Sequence, residues 1–227
     1  MGRAVQPLQI KLAVPVHLLV LIGGGEFSFG ETREIDDFLV RSMPADRRTI
    51  AFLPTASGSA EYATHLGKYF KQLDPTLETV NVPIYRGRDS RRQKNLDLIR
   101  WAGMIYVGGG VTNNLLATLH ESAADIAMRE AAADGSVVAA IGAGAASFGT
   151  HARDMRAPAA ALPALGWLEQ TVIETAFDPQ DDTMLRRLMS LPDVKLGIGI
   201  PPKTGLAIHG GGSTTLLGLN PVVVFRK

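Results

Sequence analysis

The chain has 227 residues, 46% of them apolar, with 24 glycines and only 6% aromatic residues. That suffices for one α/β domain with a sizeable core and favours close helix-on-sheet packing over a β-sandwich. A net charge of +1 gives no global field for nucleic acid or a membrane surface, and the absence of cysteine excludes disulfides, thiolate metal sites and cysteine nucleophiles.

From the amino end, Met1 to Pro15 carries Arg3 and Lys11 but no compact apolar segment of signal-peptide form. No apolar run is long enough to span a bilayer, so a cytoplasmic location is the expectation. His17 to Ile22 reads as the first strand and runs into Gly23-Gly24-Gly25-Glu26. Ile35, Phe38 and Leu39 fall at helical spacing within Thr32 to Ser42, with acidic residues near the start where the helix dipole favours them. Thr49 to Leu53 is a second strand, closed by Pro54-Thr55-Ala56-Ser57-Gly58, and Ser59 to Leu73 a second helix. Glu78 to Ile84 is a third strand, placed at an edge by Pro83. Arg86 to Lys94 is a basic loop, read either as a solvated cap or as a docking patch for a carboxylate or phosphate. Asn95 to Trp101 is a short helix turning Leu96, Ile99 and Trp101 inward.

Met104 to Val107 is a fourth strand, ending in Gly108-Gly109-Gly110. Thr112 is positioned to cap a helix over Asn113 to Leu119, and a further helix over Ser122 to Ala133 stops at Gly135. Arg156 to Gly166, rich in Ala and Pro, reads as irregular. Thr171 to Ile173 is a strand closing at Glu174, and Asp178 to Ser190 a helix. Gly205 to Ile208, Thr214 to Leu217 and Val222 to Phe225 read as a small antiparallel C-terminal patch. The alternation predicts a single α/β domain over 1–227, with a mostly parallel central sheet and helices on both faces.

The chain is organised around Val137 to Ser147, sequence VVAAIGAGAAS. A short apolar run meets small residues, as in a buried strand, a tight turn at Gly142 and a helix opening at Ala143. Such a junction lifts one residue above the carboxyl end of a sheet and aims free backbone N–H groups at whatever binds there. Three strand ends carry glycines, Gly23–Gly25, Gly108–Gly110 and Gly142/Gly144, which predicts a crevice along one sheet edge.

Taken in order, these motifs resemble the dipeptidase E and cyanophycinase family of serine peptidases, with a class I glutamine amidotransferase-like fold, from Leu21 to about Gly210. The Gly-Gly-x-Glu opening is Gly23-Gly24-Gly25-Glu26, Pro-Thr-Ala-Ser is Pro54-Thr55-Ala56-Ser57, and the turn after the fourth strand is Gly109-Gly110-Val111-Thr112. The nucleophile motif Gly-x-Ser-Ala-Gly-Ala becomes Ala140-Ile141-Gly142-Ala143-Gly144-Ala145, and Asp-x-His-Phe becomes Glu174-Thr175-Ala176-Phe177. Gly-Ile-Gly-Ile-Asp-Glu becomes Gly197-Ile198-Gly199-Ile200-Pro201-Pro202. The resemblance therefore implies that the serine nucleophile position is held by Gly142, the histidine base position by Ala176 and the triad acid position by Glu174. It implies an oxyanion hole made of backbone, the N–H of Ala143 with that of Gly109 or Gly110. It also implies a two-subunit assembly.

A glycine has no atom to attack with and an alanine cannot take a proton, so the expectation is a peptidase-like scaffold that has lost hydrolysis. Its crevice would bind a small acidic or peptide ligand, or a protein partner. One alternative is a working hydrolase with a relocated nucleophile, Ser57, Ser147 or Thr112. A second is dinucleotide binding through Gly142-x-Gly144-x-x-Ser147, which lacks the acidic residue expected about 20 positions on. The histidines His17, His65, His120, His151 and His209 show no metal-ligand spacing, and neither metal nor cofactor is expected. His151 and His209 alone follow elements able to reach the crevice edge.

Overall fold

The structure is a computed structural model and describes residues 8–157 and 159–227. The amino-terminal residues 1–7, part of the segment read above for targeting, and Pro158 in the Ala/Pro-rich stretch lie outside the described residues. The chain runs β1 (Leu18–Ile22), α1 (Arg33–Ser42), β2 (Thr49–Leu53), α2 (Glu61–Leu73), β3 (Glu78–Asn81), α3 (Gln93–Trp101) and β4 (Met104–Val107). It continues α4 (Thr112–Leu119), α5 (Ala123–Ala133), β5 (Val137–Ile141), α6 (Ala143–Ala146), β6 (His151–Arg153), β7 (Ala161–Pro163) and β8 (Thr171–Thr175). It closes with α7 (Thr183–Met189), β9 (Leu196–Ile200), β10 (Gly205–His209), β11 (Thr214–Leu217) and β12 (Val223–Arg226).

Among the described residues these strands form two sheets. The central one has seven strands in the order β11-β10-β1-β5-β4-β2-β3. Its five strands from β1 to β3 are parallel, and β10 and β11 extend it antiparallel beyond β1. The second has five strands in the order β12-β9-β8-β6-β7. The expected C-terminal patch is thus divided: β10 and β11 join the central sheet, while β12 pairs with β9 in the other.

Strand period two sorts the core. Leu18, Val20 and Ile22 pack with Ile35 and Leu39 of α1 and Leu66 and Phe70 of α2. Leu19 and Leu21 face the other way, onto Leu115 of α4, Met128 of α5 and Ile173, Ile198 and Ile200 of the second sheet. The outer face of that second sheet is closed by Leu185, Leu188 and Met189 of α7. Trp167, fully buried, stacks edge-on against Phe148 and donates its indole N–H to Asp125 of α5 at 2.8 Å.

Several expectations are corrected. Trp101 is 77% exposed at the end of α3, while Leu96 and Ile99 face inward. Thr112 does not cap α4 but is its first residue, with Val111 at the cap position. The stretch read as irregular contains β7, and α7 begins five residues later than expected, because Asp178 and Asp181 first close a turn through backbone bonding. β9 hides behind its glycines. A Cβ on Gly197 would meet the Met189 side chain at 2.7 Å, and one on Gly199 the Phe177 ring at 2.5 Å. The basic loop folds around Asp89, which accepts from the Tyr85 and Arg86 N–H groups and faces Arg92 at 3.3 Å. Among the described residues no helix is long and apolar enough to cross a membrane.

Asp36 stands apart in this core. It is 1% exposed, and one carboxylate oxygen accepts from the hydroxyls of Thr32 at 2.7 Å and Tyr69 at 2.8 Å while the other has no partner. Burial above all lifts its pKa to about 6, against those two hydrogen bonds, which favour the anion. A carboxyl raised in this way binds its proton more tightly when the chain is folded. Its stabilising contribution is therefore present in acid and lost as pH rises from about 4 to about 6. Asp36→Asn should flatten that slope and leave the protein at least as stable as the parent at about pH 8, as read from urea unfolding at about pH 4.5 and about pH 8.

Candidate functional site

The strand order places β1, β5 and β4 side by side, so their glycine-bearing carboxyl ends meet at one edge. Gly142 sits between them. Its backbone has φ 55° and ψ −122°, its N–H donates to the Ile22 carbonyl at 2.9 Å, and its own carbonyl accepts from Ala146 at 3.0 Å. This positive-φ conformation is strained for a residue with a side chain and open to glycine. Space is not what requires the glycine: a Cβ there would meet only the Gly109 Cα, at 3.9 Å. The position is a sharp strand-to-helix elbow with room for a side chain and none present.

Backbone donors are left unengaged in the segments that meet there. The N–H groups of Gly109, Gly110 and Ala143 reach no acceptor among the described residues, whereas Gly108 donates to Leu53 at 3.0 Å and Val111 to Ala56 at 3.0 Å. α6 spans only four residues, so a helix dipole adds little here; what the elbow offers is the individual amides. The same short helix weakens the dinucleotide reading, which needs several turns behind its glycines.

Gly23, beside the elbow, has the opposite reason for being glycine. A Cβ on it would overlap the carbonyl oxygens of Ile200 and Pro201. Its N–H donates to Thr204 at 2.9 Å, and its carbonyl accepts from Ala176 at 2.7 Å. The Pro201-Pro202 turn is held at the same junction, since Lys203 donates to the Gly24 carbonyl at 2.8 Å. Consecutive residues of the chain, Ile22 and Gly23, thus hold Gly142 and Ala176.

Ala176 is exposed and has φ 49°, a rare conformation for alanine. Two residues earlier, Glu174 does not serve the elbow. It lies on the α7 side of the second sheet with Val172, while Ile173 faces the main core. Its carboxylate faces Arg153 of the neighbouring strand at 3.7 Å. Burial raises its pKa, opposed by the Arg153 charge.

The hydroxyl candidates are placed as follows. Ser147 is fully buried and donates to the Ala143 carbonyl at 2.7 Å, a helix serine bonded to its own backbone. Thr112 is 4% exposed in the first turn of α4. Ser57 is exposed at the crevice edge, where a Cβ on Gly110 would meet its backbone nitrogen at 2.6 Å. Its hydroxyl is turned back to the Pro54 carbonyl at 3.3 Å and the Ser59 N–H at 3.2 Å.

Among the described residues one hydroxyl–imidazole contact occurs, His209 Nε2 to Thr215 Oγ1 at 3.0 Å. It belongs to the wrong end of the sheet. His209 pairs with Leu18 at the amino end of β1, whereas the elbow bonds Ile22 at the carboxyl end. His151 does not reach the crevice either and faces Asp193 at 3.6 Å. No cluster of three or more potential metal ligands occurs among the described residues.

A clamp that the sequence did not reveal joins the rim. Asn113 donates to Asp154 at 2.8 Å and accepts from the Met155 N–H at 3.0 Å. Asn113, then the Arg156 N–H, hold the Asp154 carboxyl below its usual range. The partners are 41 residues apart, and no local pattern announces them.

A family model described as Peptidase family S51 matches residues 19–216. The chain is 32% identical over 195 residues to the Uncharacterized peptidase YgaJ of Bacillus subtilis (strain 168), covering 84% of this chain and 82% of that protein. A crystal structure of a peptidase from an acI-B1 Actinobacterium is similar with a TM-score of 0.79 at 22% identity, covering 95% of this chain and 93% of that one. A "Putative Peptidase E Protein" from Listeria monocytogenes EGD-e is similar with a TM-score of 0.58 at 17% identity, covering 93% and 99%. At these identities the two structures bear on the fold.

Proposed function

Because the chain belongs to peptidase family S51, we propose that it is a member in which hydrolysis has been lost and ligand binding at the elbow retained. The observation that carries this reading is Gly142 itself: a residue in the strained elbow conformation, with open space above it and no side chain to fill it. Acyl transfer through a serine needs an oxygen nucleophile and a base to take its proton. Gly142 and Ala176 supply neither. The donors that would hold a developing oxyanion are backbone and are untouched by those two residues. The unengaged amides of Gly109, Gly110 and Ala143 suit the carboxylate or carbonyl of a small acidic or peptide ligand. We place the protein in the cytoplasm.

A serine-reactive fluorophosphonate, added in excess and followed by intact mass, should leave the native protein unmodified. Stoichiometric labelling of one residue would overturn the reading and identify the relocated nucleophile. The binding half is tested by thermal shift with the Asp-Arg dipeptide, for which saturable stabilisation is expected; NAD should produce none.

A further inference from the structure

A second cleft of about 470 Å3 opens between the segment after Gly25 and helix α2, lined by Glu26, Phe27, Tyr62, Lys68 and Tyr69 among others. None of Gly142, Gly109 or Ala176 lines it. Its walls are aromatic. The Phe27 ring meets Tyr62 edge-on at 5.4 Å between centroids and Tyr69 at 5.1 Å, tilted by 46°. Tyr69 is fixed from behind, because its hydroxyl donates to the buried Asp36. The Tyr62 hydroxyl has no partner among the described residues.

Two opposite charges line the same cleft without neutralising each other. The Glu26 carboxylate accepts only from the Ser28 N–H, at 3.3 Å, and forms no ion pair among the described residues. The Lys68 ammonium likewise has no carboxylate within ion-pair distance among them. His65, the other titratable group on this stripe of α2, is occupied by Glu61 at 3.7 Å. A carboxylate and an ammonium held apart over a floor of rings complement a molecule with an amino group at one end, a carboxylate at the other and an apolar body between.

We propose that this cleft is a binding site, separate from the elbow, for a zwitterionic amino acid or dipeptide with an aromatic or other apolar side chain. Its amino group would pair with Glu26, its carboxylate with Lys68, and its side chain would lie against Phe27, Tyr62 and Tyr69. The volume accommodates a molecule of that size.

The probe is the dipeptide Phe-Gly, titrated by isothermal calorimetry into the full chain. Saturable binding is expected, weakened about tenfold or more when the probe is N-acetylated and again when it is C-amidated. In Glu26→Gln the penalty for N-acetylation should disappear while that for amidation remains; in Lys68→Gln the reverse should hold. The amide of Glu26→Gln can still accept from the Ser28 N–H, and Lys68 is exposed, so both variants should fold, as circular dichroism would verify. Absence of binding up to about 5 mM Phe-Gly, or penalties that persist unchanged in both variants, would overturn the proposal. The reading of the elbow is decided separately, by fluorophosphonate labelling.

Discussion

Gly23→Ala is expected to cost roughly 3 kcal/mol or more of unfolding free energy, enough to leave much of the chain insoluble or unfolded at 37 °C. The added methyl would overlap the carbonyl oxygens of Ile200 and Pro201, and both are backbone, so no rotamer change makes room. Relief requires the end of β1 to part from the end of β9. That movement strains the bond from Ala176 to Gly23, which ties the turn after β8 to the end of β1, and the bond from Gly23 to Thr204, which extends the pairing of β1 with β10. Gly211→Ala is the control. It has open space around it and no left-handed φ, and should stay within about 0.5 kcal/mol of the parent. Chemical denaturation of both variants measures the difference, and a Gly23→Ala protein of parental stability would mean that the junction is looser than these contacts imply.

The second large effect is a gain of reactivity. Gly142→Ser fits sterically, since only Gly109 Cα approaches, but places a side chain at φ 55°. The strain should cost about 1–2 kcal/mol, or about 2–8 °C in Tm for a chain of this length. The hydroxyl gains no base, so this variant should neither hydrolyse dipeptides nor react with fluorophosphonate. Adding Ala176→His supplies an imidazole at a position whose left-handed φ histidine tolerates better than most residues. The double variant should react with the probe, because a positioned base contributes about 10²–10⁴-fold. Its turnover should stay low: Glu174 is engaged by Arg153 on the α7 side and leaves the new imidazole without an orienting carboxylate. Labelling of Gly142→Ser alone would reveal a base already in place.

Much of this frame is legible in the residues. β2 and β4 have the bounds that their apolar runs predict, because each is bracketed by turn-forming residues and buried on both faces. The elbow was equally plain, since only small residues fit where α6 passes the Val107 and Gly108 carbonyls, at 2.7 and 3.0 Å from a Cβ on Gly144. Of the second sheet only β8 and β12 are legible as strands. β6 and β7 are three residues each, too short for a period to register, and β9 owes its glycines to Phe177 and Met189, which approach from other elements. The exposure of Trp101 is not legible, because burial depends on whether anything packs over the end of α3, which the helix alone cannot show. The roles around the elbow were lost to distance along the chain. Arg153 claims Glu174 from 21 positions away, and Asn113 claims Asp154 from 41.

The carbonyls of Ile22 and Gly23 have one more consequence. They lie on adjacent peptide units, each planar and of fixed dimensions, hinged at the Gly23 Cα. Covalent bonds therefore cap the separation between the two grips, one on the elbow and one on the turn after β8, and the φ and ψ of Gly23 set it within that cap. Substitutions that erode the surrounding hydrophobic layers can loosen the molecule, yet they cannot carry the two grips further apart than that limit.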